Sequence, residues 1–208
     1  MVITYYGVCC FKVQSGETVL AFDPPSKESD FKSPRFQSNA VLISSNHKDH
    51  NGWENLSPKI EGKKLIVLDG PGEYELEDIY IKGIKSANQS TIYSLKFEGI
   101  TLCHMGNFSE KELRPEIKEA IGEIDILFIP IDTSAALDSA KAAKISSQLE
   151  PKIVIPMYSR QGREDNKILK KFLDEFGNGA IKPADKLTIK KKDLATEKIQ
   201  VIVLQPCL

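Results

Sequence analysis

The sequence has 208 residues, enough to bury a full core, and reads as a single domain over residues 1–208. Its hydrophobic share of 41%, charged share of 27% and formal charge of −1 are ordinary for a folded protein and supply no broad basic field, so nucleic acid is not an expected partner. No apolar run is long enough to cross a bilayer, and the opening MVITYYGVCCFKV alternates instead of forming a signal-peptide core, so a cytoplasmic location away from any membrane is expected.

In chain order, VITYYG (2–7), CCFKVQ (9–14), TVLAFD (18–23) and AVLISS (40–45) read as short strands, with SGE (15–17) as a hairpin turn. The stretch between Asp23 and Ala40 is polar, contains proline and reads as a surface loop. Further strands are predicted at 64–69, 79–84, 91–97 and 100–106, with GPGEYE (70–75) as a turn and Glu98-Gly99 as a hairpin turn. From residue 109 the apolar period changes to that of a helix. Ser109-x-x-Glu112 reads as a capping box, with Leu113, Ile117, Ala120 and Ile121 on one face. DILFIP (125–130), a helix over 136–149, KIVIPM (152–157), a helix over 165–177 and a closing strand KIQVIVLQ follow, the alternation of right-handed βαβ crossovers. The basic run KLTIKKKD (186–193) reads as solvent-exposed, with a phosphate or nucleic-acid patch as the alternative.

Cys9, Cys10, Cys103 and Cys207 form no C-x-x-C pair and are expected to be reduced and partly buried. The chemistry-bearing stretch is SSNHKDHN (44–51), which places His47, Asp49 and His50 in a polar loop directly after an apolar strand. The C-terminal ends of strands are where open sheets hold ligands, and imidazole and carboxylate are zinc donors. The same residues also suit a solvated loop.

SSNHKDHNG resembles the T-H-x-H-x-D-H strand-loop of the metallo-β-lactamase fold. Around it, ITYYGVCCF, FDPP (22–25), DGPGEYE (69–75), IKGI (81–84), TIYSLKFEGITLCHMGN (91–107), IDILFIPI (124–131) and LEPKIVIPMYS (149–159) stand in the order and spacing of the small metal-dependent hydrolases related to ascorbate-6-phosphate lactonases. The resemblance implies a mixed α/β (α+β) chain folded as a four-layer αββα sandwich, with the site at one edge.

It also implies a pair of zinc ions, and there the sequence departs from the family. Ser45 stands where the first histidine belongs, leaving His47; the later histidine loop is reduced to KSANQS (85–90). Asp49 and His50 match the second site, but the bridging aspartate falls on Asn107 and the last histidine on Tyr158, while Val8 replaces a further family histidine. With 3 histidines in the whole sequence, the set cannot be completed from elsewhere. His47, Asp49, His50 and Asn107 are therefore expected to be a vestigial or weak metal site. Asp23, which the resemblance makes a supporting aspartate, Ser45, His104 and Tyr158 would complete a polar pocket. Asp23 is expected to hold the loop by backbone hydrogen bonds, and His104 to be structural rather than a ligand. Glu73 and Glu75 alternate to one strand face, read as solvated rather than as an acid/base pair.

Two functions follow. The first is a homologue without hydrolytic chemistry that binds a small ligand or a protein, with no cofactor. The second is a reduced hydrolase using one divalent cation (zinc, manganese or iron) on a lactone, ester or phosphoester. A homo-oligomer is compatible with either.

Overall fold

A computed structural model describes residues 1–86, 89–131, 137–158, 163–194 and 198–207, without the side chains of 163–166. The alternating opening folds as β1 (Val2–Gly7), β2 (Cys10–Ser15) and β3 (Thr18–Phe22), joined antiparallel, with Gly16 and Glu17 as the second turn. After the polar loop come β4 (Gln37–Ser38) and β5 (Ala40–Leu42), then β6 (Ser57–Pro58) and β7 (Ile66–Leu68). β5 is shorter than expected because Asp23 captures the chain at Ser44: its side chain accepts the Ser44 N–H.

The GPGEYE stretch is mostly strand, β8 (Gly72–Leu76), and its turn lies at Glu77-Asp78, ahead of β9 (Ile79–Lys85). β10 (Thr91–Phe97) and β11 (Ile100–His104) follow. Their turn has positive φ at both Glu98 (52°) and Gly99 (72°), as a tight hairpin of this twist requires. Then come α1 (Pro115–Ile121), β12 (Ile126–Pro130), α2 (Ser139–Leu149), β13 (Ile153–Met157), α3 (Arg163–Glu175), β14 (Leu187–Thr188) and β15 (Gln200–Val201).

Two large sheets result, in strand orders β14-β1-β2-β3-β5-β7 and β15-β13-β12-β11-β10-β9-β8, with β4 and β6 paired in a small third. They meet through buried rings: Phe11 lies 4.7 Å from Phe128, and Phe22 stacks on His104 at 4.9 Å. α1 contacts β9, and α2 contacts both β12 and α3. The opposite outer face is closed differently. There Ala21, Val41 and Ile43 pack with Leu56 from a loop bearing a single 3₁₀ turn (Trp53–Asn55), flanked by Phe36, Leu65 and Val67.

Three expectations need correction. The Ser109–Glu112 capping box does not form: α1 starts at Pro115, because a proline holds the residue before it extended (Arg114, φ −67°, ψ 142°) while itself suiting the first helical position. The lysine run is not wholly solvated: Leu187 pairs with Ile3 in the first sheet, and Ile189 is buried. α2 begins at Ser139, where Asp138 caps it by accepting the Lys141 N–H at 2.9 Å; Ala136, the expected start, lies outside the described residues.

Candidate functional site

β3 ends at Phe22, and Asp23 follows in a left-handed conformation (φ 42°), fully buried. Its carboxylate accepts the Ser44 N–H and the Ser44 hydroxyl, both at 2.6 Å. Ser44 is held from the other side as well: its Oγ accepts the Asn107 N–H at 3.2 Å and its carbonyl accepts the Thr91 N–H at 2.8 Å. Gly106 makes this convergence possible. At φ 54° a side chain would be strained, and its Cβ would lie 2.2 Å from the Ser44 Cβ. The ends of β3, β5 and β11 are thus tied to one buried carboxylate.

The loop beyond Ser44 is fastened to residues 24–26 by backbone bonds, from Gly52 N to Pro24 O and from Ser26 N to Lys48 O, each 2.7 Å. This delivers the predicted residues to different environments. His50 is buried, with Nδ1 3.4 Å from Asp23 Oδ2. His47 is exposed (55% of its side chain); its Nδ1 accepts the Asp49 N–H at 3.3 Å and lies 3.5 Å from Asp49 Oδ2. The other Asp49 oxygen accepts the Ser29 hydroxyl at 2.6 Å. Ser45 and Asn107 are half-buried.

Tyr158 is buried. Its hydroxyl donates to the Leu204 carbonyl at 2.8 Å and its N–H to the Tyr5 hydroxyl at 2.8 Å. His104 is also buried, with Nε2 2.9 Å from the Cys9 carbonyl and Nδ1 4.0 Å from Asp23 Oδ2. Burial pulls its imidazole below the usual histidine range, against the opposing influence of Asp23 and the Cys9 carbonyl, which keeps the ring neutral.

Among the described residues, one group of three or more His, Cys, Asp or Glu brings its donor atoms within 4.8 Å of one another: Cys9, Asp23 and His50. His47 and Asp49 are not in it, and neither asparagine nor tyrosine is a strong zinc donor. Cys9 was missed because sequence reasoning treated all four cysteines as packing residues; its place beside Val8, where the family has a histidine, was the available signal. A cavity of about 400 Å³ opens beside the loop, lined by Ser26, Lys27, Asn46, His47, Asn51 and Asn55 among others. Of the residues expected at the metal site and its pocket, His47 alone lines it. The KSANQS segment closes through the Ser86 N–H and Ser90 carbonyl at 2.9 Å, and residues 87–88 lie outside the described residues.

Residues 2–158 match the family model described as a beta-lactamase superfamily domain. A UPF0173 protein of Pyrococcus abyssi is 24% identical, over 76% of this chain and 83% of its own length. A UPF0173 metal-dependent hydrolase of Pyrococcus furiosus is 24% identical, over 75% of this chain and 83% of its own. Among solved structures, a Thermotoga maritima protein named for the Zn-dependent hydrolases of the metallo-beta-lactamase superfamily superposes with a TM-score of 0.81 at 24% identity, covering 98% of both chains. That likeness establishes the fold the resemblance implied, two facing sheets in a mixed α/β chain, although the described helix contacts are on the β15–β8 sheet and the outer face of the other sheet is closed by a loop.

Proposed function

Starting from the chain's membership of the metallo-β-lactamase superfamily, we propose that it is a homologue of the metal-dependent hydrolases which does not assemble their two-metal centre and works by binding a small polar ligand. The observation that carries this reading is how the expected ligands are engaged. His50 is turned to buried Asp23, the exposed His47 accepts the Asp49 N–H, the Asp49 carboxylate accepts the Ser29 hydroxyl, and the Tyr158 hydroxyl is occupied by a backbone carbonyl. Hydrolysis in this fold needs a metal-bound water held and oriented by the ligand set, and that set is not gathered here.

The cavity beside His47 supports the binding half of the proposal. Asn46, Asn51 and Asn55 bring amide groups, and the Lys27 and Lys48 cations are matched by the Glu28 and Glu54 carboxylates, a lining suited to a small polar molecule. The test is turnover of lactones, esters and phosphoesters in excess zinc, manganese or iron, with ligand binding to the same protein followed by thermal shift. The expected results are no turnover above the metal-only blank, and a sugar- or phosphate-like ligand that raises the melting temperature less in Asn51→Ala. Turnover abolished by chelator and by Asp49→Ala would overturn the proposal.

A one-cation hydrolase is the second reading, favoured by the Asp23–His50 pair. A carboxylate beside an imidazole is how proteins orient a metal-binding histidine, and relatives carry metal-dependent hydrolase in their names.

A further inference from the structure

Cys9 Sγ, an Asp23 carboxylate oxygen and a His50 ring nitrogen lie within 4.8 Å of one another, and all three residues are buried. Asp23 Oδ2 stands 3.4 Å from His50 Nδ1 and 4.0 Å from His104 Nδ1, and neither nitrogen has a hydrogen-bond partner. The tautomer of His104 follows from its other contact. The Cys9 carbonyl, 2.9 Å from Nε2, can only accept, so Nε2 carries the proton and Nδ1 presents a lone pair toward the carboxylate. Two electron-rich atoms facing each other in a water-poor interior repel, and buried polar atoms are normally satisfied. A cation among them would remove both penalties.

We propose that Cys9, Asp23 and His50 form a buried site for one zinc-like divalent cation, with His104 Nδ1 in reach as a fourth donor. Sulfur, nitrogen and one carboxylate oxygen are a zinc set; calcium and magnesium require oxygen ligands throughout. The Asp23 carboxylate is already oriented by the Ser44 N–H and hydroxyl, as outer hydrogen bonds commonly orient a ligand.

Binding exchanges the Cys9 S–H, which lies 3.6 Å from the Gly106 carbonyl, for a thiolate–metal bond and releases that proton to solvent. The donor atoms must also close in. Tetrahedral zinc holds its ligands roughly 3.5 Å apart, a contraction of about 1 Å for the widest pair. Buried on all sides, the site has no open position for a substrate. Its part is to clamp the β1–β2 turn, the end of β3 and the His47–His50 loop together, and this holds whichever activity the loop has.

The experiment is a cobalt(II) titration of the full, tag-free chain after chelator treatment. One equivalent should bind and give the near-ultraviolet absorption of a cobalt–thiolate bond. Cys9→Ser should lose that absorption and, since loss of even an outer-shell partner costs about 10–100-fold, bind at least about tenfold more weakly. His47→Ala and Cys207→Ser should retain both the absorption and the affinity, with circular dichroism confirming that each variant is folded. No bound cobalt, cobalt without the thiolate absorption, or absorption that survives Cys9→Ser would overturn the site, as would loss of binding in His47→Ala.

Discussion

Gly106→Ala probes the junction on which the site is built. The added methyl would stand 2.2 Å from Ser44 Cβ and 2.4 Å from Ser44 Oγ, at a backbone φ of 54°. Left-handed backbone costs a residue with a Cβ about 1–2 kcal/mol, and forcing a methyl into a packed interior costs about 1–3 kcal/mol. The sum is about 2–5 kcal/mol. For a chain of this length about 1 kcal/mol moves the melting temperature by 2–4 °C, so a fall of roughly 4–20 °C is expected. Ser44→Gly removes the atoms that clash while leaving the φ cost in place. In that background Gly106→Ala should cost about 1–2 kcal/mol, the remainder appearing as coupling between the two positions. Denaturant unfolding of the four proteins of the cycle measures it. Equal costs in the two backgrounds, within about 0.5 kcal/mol, would refute the close approach of Gly106 to Ser44.

Asp125 governs acid stability. Burial raises its carboxyl, but hydrogen bonds from Lys152, Lys191 and the Thr101 amide outweigh that and hold it below the usual carboxylate range. A depressed carboxyl contributes stability that is complete above the unfolded value of about 3.9 and is lost as the pH falls through the folded value. Asp125→Asn should therefore be less stable than the parent at pH 7, with the gap closing below about pH 4; a gap that does not change with pH in denaturant titrations would exclude this role. Phe128→Ala, which removes the ring that meets both Phe11 and Phe22, should cost about 3–5 kcal/mol in the same assay. Thiol labelling of the folded protein should modify Cys207 quickly, because it is exposed. Cys10 and Cys103 are buried, and burial pushes the Cys103 thiol up to about 12; their labelling should need unfolding. Asp138→Ala should cost about 1 kcal/mol through loss of the α2 cap, visible as a lower denaturant midpoint.

Strands whose residues alternate or run wholly apolar, such as Val2–Gly7 and Ile126–Pro130, were legible because burial on one face or two leaves a simple pattern. What escaped were features set by competition at a distance. Ser109 and Glu112 carry a capping pattern, but Pro115 decides where α1 can start. Leu187 and Ile189 hide among lysines, and β14, which holds Leu187, exists because β1 offers a free edge. At the site, the identities of His47, Asp49 and His50 were visible, but the contrast between a buried His50 and an exposed His47 was not. It arises because Asp23, twenty-one residues before Ser44, anchors the chain there and presents its carboxylate to His50. Cys9 enters only through the β1–β2 turn, which no local pattern ties to that loop.

Zinc stoichiometry by native mass spectrometry, on tag-free protein and on Asp49→Ala after loading with excess zinc, tests the central claim most directly. The account predicts that neither protein carries two zinc ions and that the two spectra show the same occupancy. A two-zinc species in the parent that disappears in Asp49→Ala would contradict it and would place a working metallohydrolase centre at the His47–His50 loop.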